Sequence, residues 1–116
     1  MMVGYTIVGK EKSEIRGAEL LYPEHRNLTH RTEVSQGSEQ PEDLFSYFHT
    51  IEVPETGSDF IIIRVQEDDG NRVLLFRLVM NRTVLVADRK FGNISIRNAE
   101  FRVPEKIMQR FLSVQC

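Results

Sequence analysis

Three histidines are the first residues of this chain to consider for chemistry, because imidazole acts as a metal ligand or as a general base. His25 and His30 lie with Glu24 and Glu33 in a polar segment, and transition metals bind this combination of imidazole and carboxylate. Their spacing matches no standard zinc motif, and no cysteine lies near them. The sequence therefore predicts no metal site. A metal-dependent hydrolase that uses residues 24–33 is the third interpretation of function.

Sequence motifs for nucleophilic catalysis and for phosphate binding are not recognisable. No Gly-x-Ser-x-Gly elbow occurs, and no serine has an identifiable histidine and acid partner. Gly4 and Gly9 enclose a strand-like pattern and precede no helix, so they do not form a phosphate-binding loop. His49 ends a predicted helix, where a capping or packing role is expected. The sequence therefore favours a non-catalytic protein without a cofactor.

Arginines are the second group of residues that could bind a ligand. Arg77, Arg97 and Arg102 fall in predicted strands, and a guanidinium group suits phosphate or carboxylate. The charge of the chain is uneven, because residues 1–59 contain five basic and eleven acidic residues, whereas residues 60–116 contain ten and six. The arginines are thus expected either to pair with carboxylates of the first half or to form a basic surface for nucleic acid or anionic lipid.

The strongest local signal in the chain is a β-hairpin. Residues 60–65 and 72–80 are largely apolar, and they enclose the pair Asp69-Gly70, which is favoured in tight turns. Further strands are predicted at residues 3–9, 50–53 and 83–87. Two more are predicted at 94–96 and 99–103, with a bulge between them near 97–98. Residues 15–21 are predicted to form either a strand or a helical turn.

One long loop and two helices complete the predicted elements. Residues 24–40 contain few apolar side chains and are predicted to form a long, mobile loop. Pro41 suits the first turn of a short helix that ends near Phe48. A second helix is predicted to begin at Pro104, because four apolar residues follow at helical spacing: Ile107, Met108, Phe111 and Leu112.

Strand 72–80 is apolar on both faces, and this pattern determines the predicted architecture. Such a strand must be covered on both sides by helices, by a second sheet or by another chain. We predict an α+β protein that is mainly β, with a curled antiparallel sheet or partly open barrel and a C-terminal amphipathic helix. A two-sheet β-sandwich is the alternative.

A single domain over residues 1–116 is expected from the length of the chain. No apolar run is long enough to cross a bilayer and no secretory leader is recognisable, so a cytoplasmic location is expected. The predicted function is a non-catalytic binding or regulatory module that engages a protein partner, or a second copy of itself, through the apolar sheet face. An anion-binding module is the alternative. The residues predicted to bind are Val73, Leu75, Arg77, Val79, Arg97 and Arg102.

Overall fold

One curled antiparallel sheet forms the body of the protein and confirms the predicted fold class. The computed structural model describes residues 1–36 and 43–115, which contain eight strands and one helix. The elements are β1 (Met2–Gly9), β2 (Ile15–Tyr22), β3 (Arg26–Ser35), β4 (Phe45–Glu52), β5 (Phe60–Glu67), β6 (Gly70–Val79), β7 (Arg82–Lys90), β8 (Asn93–Ile96) and α1 (Glu105–Ser113).

The strands follow the order β1-β4-β3-β2-β5-β6-β7-β8, and the sheet curls into a half-barrel. Strands β1 and β8 are therefore its two edges. Strand β1 pairs with β4 and not with β7 or β8, so the described strands do not close into a barrel. A cavity of about 210 Å³ is lined by residues of β1, β6 and β7 and by Arg97. The alternative of two stacked sheets is not what the described residues form.

Apolar side chains are buried on both faces of the sheet, as predicted from the strand pattern. The concave inner face holds the larger core, which includes Leu20, Ile51, Ile63 and Phe76. The outer face of β5, β6 and β7 holds a second core beneath α1: Phe60, Ile62, Val73, Leu75, Val86 and Ala87 pack with Ile107 and Phe111. The predicted C-terminal helix is thus confirmed, with Pro104 at its N-cap. No helix in the described part of the chain has the length and apolarity needed to span a membrane.

The predicted central hairpin is confirmed as β5 and β6, which pair from Phe60 opposite Arg77 to Glu67 opposite Gly70. Gly70 is required there for two reasons. Its φ of +146° is one that L residues rarely adopt, and a Cβ atom at this position would lie 2.8 Å from the ring of Phe91.

Residues 24–40 were predicted to form a loop, but Arg26–Ser35 forms β3. The strand pairs with β2 through Arg26–Leu28 and with β4 through Thr29–Ser35. Its polar side chains mostly face solvent, so main-chain pairing with β2 along its first part and with β4 along its second part, rather than apolar content, fixes this segment. Residues 37–40 of the predicted loop lie outside the described residues.

The helix predicted over residues 41–48 is also wrong, because Phe45–Glu52 forms β4. Burial alternates along β4, with Tyr47, His49 and Ile51 facing inward, and the strand pairs with β1 and β3. The spacing of Phe45 and Phe48 suited a helix, but pairing with two distant strands overrides that local preference. Pro41 and Glu42 lie outside the described residues.

The predicted strand over residues 99–103 does not form, because pairing stops after β8. The side-chain amide of Asn98 donates to the carbonyl oxygen of Leu85 at 2.7 Å, and its backbone N–H donates to that of Val86 at 3.2 Å. These bonds turn the chain toward the outer face, where Phe101 and Val103 pack against the core beneath α1.

Candidate functional site

Two residues predicted to bind a partner, Val73 and Leu75, lie in the sheet beneath α1. Both are fully buried, and they pack in the outer core with Ile107 and Phe111 of the helix. The protein's own helix therefore covers this face. The surface for self-association predicted at Val73 and Leu75 is therefore not exposed in this structure, because Ile107 and Phe111 of α1 pack in the same core.

Arg77 and Val79 lie near the end of β6 that leads into the β6–β7 turn, and both are half-buried. The guanidinium group of Arg77 lies 4.8 Å from the centroid of the Phe60 ring, on the outer face, and 3.5 Å from a carboxylate oxygen of Asp59. Arg97, by contrast, donates to Asp88, which also accepts from Arg72 of the inner-face cluster. The predicted arginines do not share one exposed face.

Some arginines of the second half do pair with carboxylates of the first. The Nε atom of Arg64 donates to Glu19 at 2.7 Å across the β2–β5 pair, and Arg77 lies beside Asp59. Arg72 instead pairs with Glu67 at 2.9 Å and with Asp88 at 2.6 Å, inside the second half. The charge asymmetry of the sequence is thus neutralised partly between the halves and partly within one of them.

An exposed apolar surface lies at the β8 edge of the sheet. We define the β8 surface as the exposed apolar residues at this edge, Phe91, Ile94 and Ile96, together with two arginines of the segment that follows, Arg97 and Arg102. Phe91 is 64% exposed, Ile94 48% and Ile96 58%, and all four residues of β8 are exposed. In the register of the sheet Ile94 and Ile96 lie opposite Arg89 and Ala87, on the outer face that also carries α1. The helix covers the neighbouring strands and leaves β8 uncovered.

A two-residue turn fixes the backbone of this edge. Phe91 and Gly92 join β7 to β8 with φ angles of +52° and +79°, and the turn pairs Lys90 with Asn93. Both central residues of such a hairpin turn need a positive φ, which suits Gly92 but is strained for Phe91. The Phe91 ring packs against Gly70, and the Lys90 amine lies 5.3 Å from the ring centroid. The strained position therefore holds an aromatic ring at the edge of the sheet.

Backbone groups along β8 alternate between the paired side and the free side. The N–H of Arg97 donates to Val86 at 2.8 Å, so Arg97 points its backbone toward β7. Because direction alternates along an antiparallel strand, the N–H and C=O groups of Asn93 and Ser95 also point toward β7. Those of Ile94 and Ile96 then point away from the sheet. Within β8, the two residues with exposed apolar side chains are also the two whose backbone groups pair with no other strand among the described residues.

Positive charge surrounds the β8 surface. Residues 89–102 contain four basic residues and one acidic residue, Glu100, but Lys90 is paired with Glu67 and Asp69. Arg89 donates to the carbonyl oxygen of Phe111 at 2.6 Å, and Arg97 donates to Asp88 at 3.2 Å while remaining about half exposed. In the described part of the chain Arg102 has no carboxylate within ion-pair distance. The edge can therefore attract an acidic ligand.

A second polar site lies inside the half-barrel, where Glu67 is almost completely buried. Its carboxylate accepts from the Tyr5 hydroxyl at 2.7 Å, from Arg72 at 2.9 Å and from Lys90. These donors hold the pKa of Glu67 below its usual value against the cost of burial, whereas burial and the nearby Glu67 carboxylate raise the pKa of Tyr5. The cluster ties β1 to β5, β6 and β7 and so holds the curl of the sheet.

A cavity of about 410 Å³ lies beside this cluster, between the β1–β2 loop and the β5–β6 turn. It is lined by four cationic side chains, and each has a carboxylate partner: Lys10 with Asp43, Lys12 with Glu14, and Arg72 and Lys90 with Glu67. Because its positive charges are compensated, the cavity is a weaker candidate for anion binding than the β8 surface.

His49 was predicted at a helix end, but it is fully buried in β4. Its Nε2 atom lies 3.1 Å from the hydroxyl of Ser13 and its Nδ1 atom 2.8 Å from that of Thr32. Burial lowers the pKa of His49, and each ring nitrogen lies within hydrogen-bond distance of a hydroxyl group. No sequence signal reveals this grouping, because Ser13 and Thr32 lie 36 and 17 residues away.

The histidines of the segment considered for a metal site lie at or in β3. His25 contacts Glu19 at 2.7 Å, and His30 lies in β3 opposite Ile51 of β4. Across residues 1–36 and 43–115 no three His, Cys, Asp or Glu side chains are grouped so that they could hold a metal ion. Cys116 lies outside the described residues.

Comparison of the chain with protein-family models, with curated proteins and with solved structures found no match.

Proposed function

We propose that this protein is a non-catalytic binding module that engages a protein partner through the β8 surface. The observation that carries the proposal is the contrast on one sheet face: α1 buries the side chains of β5 to β7, whereas Ile94 and Ile96 in β8 stay half-exposed. An edge strand that combines exposed apolar side chains with unpaired backbone groups is a ready template for another chain.

The residues expected to bind are those that define the β8 surface, and they replace part of the set predicted from the sequence. Arg97 and Arg102 are retained as its charged flank. Val73 and Leu75 are replaced by Ile94 and Ile96, because only the latter are accessible. Arg77 and Val79 are not part of the proposed surface.

A second copy of the chain is the alternative occupant of the same edge. Self-pairing of β8 would bury Ile94 and Ile96, but it would also bring a second set of the same basic residues to the junction. The charge therefore favours a different, acidic partner. Anion binding by the arginines is a second proposed function, supported by the exposed Arg102, and it requires binding to nucleic acid or anionic lipid that falls steeply with salt.

Selection from a displayed library of random twelve-residue peptides tests the proposal. The wild-type chain is the target, and the double variant Ile94→Ser/Ile96→Ser is used for counter-selection. We expect peptides that bind the wild type and not the double variant, while light scattering of the unliganded protein shows a monomer. A library that yields no such peptide contradicts the proposed function. A dimer that the double variant abolishes shows that the occupant is a second copy.

A further inference from the structure

The free edge of β8 has the geometry to accept one more strand, and this inference rests on the function proposed above. Strand β7 occupies one side of β8, and no strand among the described residues pairs with the other side. At the opposite edge, β1 pairs with β4 alone in the described part of the chain and lines a cavity together with residues of β6 and β7. The outer side of β8 is therefore available.

The backbone of β8 offers a short, defined set of hydrogen-bonding groups. The outward N–H and C=O groups of Ile94 and Ile96 provide two donors and two acceptors, separated by the spacing of alternate strand residues. Strand β8 offers no further outward groups of this kind, because Phe91-Gly92 turns the chain before β8 and Asn98 bends it afterwards. A partner segment needs only a few extended residues to match these groups.

The side chains of the edge indicate the chemistry of that segment. Ile94 and Ile96 provide apolar area on the outer face, next to the helix-covered core. Of the four basic residues between positions 89 and 102, Lys90 is paired with Glu67 and Asp69 and Arg89 donates to the carbonyl oxygen of Phe111, so the charge open to a partner lies on the two other arginines. Arg97 is half-exposed, and Arg102 is exposed without a carboxylate partner in the described ranges. Apolar side chains that alternate with acidic ones complement this pattern.

We infer that the partner segment is an extended strand rich in Asp or Glu that adds to β8, pairing with the backbone of Ile94 and Ile96 and placing its carboxylates near Arg97 and Arg102. Main-chain bonds supply affinity in this mode, and the flanking charges select among segments. Like charge against the arginines disfavours basic segments.

Proline substitution separates strand addition from docking of side chains alone. Ile96→Pro removes an N–H that points away from the sheet, so pairing with β7 remains intact, as proline is tolerated on the free side of edge strands. Ile96→Ser removes the same apolar side chain but keeps the N–H. The matched control for loss of an exposed apolar side chain is Val8→Ser, on the other edge strand.

The probes are peptides selected from the random display library, synthesised singly and titrated by calorimetry. We expect the selected set to be enriched in Asp and Glu. We expect Ile96→Pro to weaken binding by tenfold or more, and Ile96→Ser by only about threefold. The proline leaves a buried carbonyl group of the peptide without its hydrogen-bond donor, and this lowers affinity more than the shorter side chain of serine does. Val8→Ser should leave affinity unchanged, and circular dichroism should show that each variant is folded.

Charge is tested with Arg97→Gln and Arg102→Gln, each of which should weaken binding by about threefold and lower its salt dependence. Arg31→Gln, an exposed arginine of β3, is the matched control. Peptides without acidic bias, or equal losses in Ile96→Pro and Ile96→Ser, would overturn the inference while leaving a protein-binding surface in place. If Ile96→Pro does not fold, Ile94→Pro makes the same test. Failure to select any peptide at β8 would instead contradict the proposed function itself.

Discussion

Two parts of the same outer sheet face differ in the solvent exposure of their apolar side chains. Beneath α1, Val73 and Leu75 are fully buried by Ile107 and Phe111, whereas one strand beyond β7 the side chains of Ile94 and Ile96 remain about half-exposed. Both regions are apolar, so apolar character by itself does not identify a binding surface. The helix distinguishes them, because it covers the apolar side chains of one region and leaves those of the other exposed.

Truncating the side chain of α1 that is most deeply buried against the sheet should have the largest effect on stability. Phe111 is fully buried, so Phe111→Ala is expected to lower the free energy of unfolding by about 3–5 kcal/mol. Urea denaturation measures the loss. Leu112→Ala, at the half-exposed neighbouring position, is the control and should cost less than about 1 kcal/mol. Equal effects of the two variants would mean that α1 does not cover the face as described.

Breaking the buried ionic cluster should have the next largest effect, although it lies on the inner face. Glu67→Gln leaves Arg72 and Lys90 without their shared carboxylate, so the free energy of unfolding should fall by about 2–3 kcal/mol. Asp68→Asn, one residue along in the exposed turn, should change it by less than about 0.5 kcal/mol. A loss for Asp68→Asn as large as that for Glu67→Gln would contradict the assignment of the cluster.

Acid should destabilise the inner face in two stages. Folding lowers the pKa of His49 from 6.5, so the unfolded chain binds this proton more readily and stability falls as the pH drops below about 6.5. Folding lowers the pKa of Glu67 from 4.5, so a further loss begins below about 4.5. Thermal unfolding between pH 8 and pH 3 measures both stages. Glu67→Gln should reduce the second stage and keep the first, and a second stage of unchanged size in that variant would contradict its assignment.

The smallest effect on stability is expected at β8. Ile96→Ser should change the free energy of unfolding by less than about 0.5 kcal/mol, because the side chain is already half-exposed. Ile62→Ser, in the core beneath α1, should cost several times as much. Urea denaturation of the two variants compares the regions directly. Comparable losses would show that β8 is part of the stabilising core and not a surface kept for a partner.

The sequence predicted those elements whose signal is local. The hairpin of β5 and β6 is marked by apolar strands around Gly70, and α1 is marked by its apolar stripe after Pro104. Strand β3 and the first half of β4 were missed because distant strands, rather than their own residue types, determine their conformation, whereas the strand predicted at 50–53 overlaps the second half of β4. Polar composition made β3 resemble a loop, and the spacing of Phe45 and Phe48 made β4 resemble a helix.

The candidate site was predicted only in part, for a related reason. Arg97 and Arg102 were identified by residue type, but Val73 and Leu75 were chosen because both faces of β6 are apolar. Which face a helix covers depends on the path of the chain after β8, where Asn98 bonds to Leu85 and Val86 and ends the sheet. Strand alternation alone does not contain that information.

Amide hydrogen exchange of the wild-type protein with and without a selected acidic peptide tests the central claim most directly. Binding along the free edge should slow exchange at the amides of Ile94 and Ile96, whereas those of Asn93 and Ser95, which already point toward β7, should change little. Protection that appears at β1 instead, or that is uniform along β8, would contradict the account.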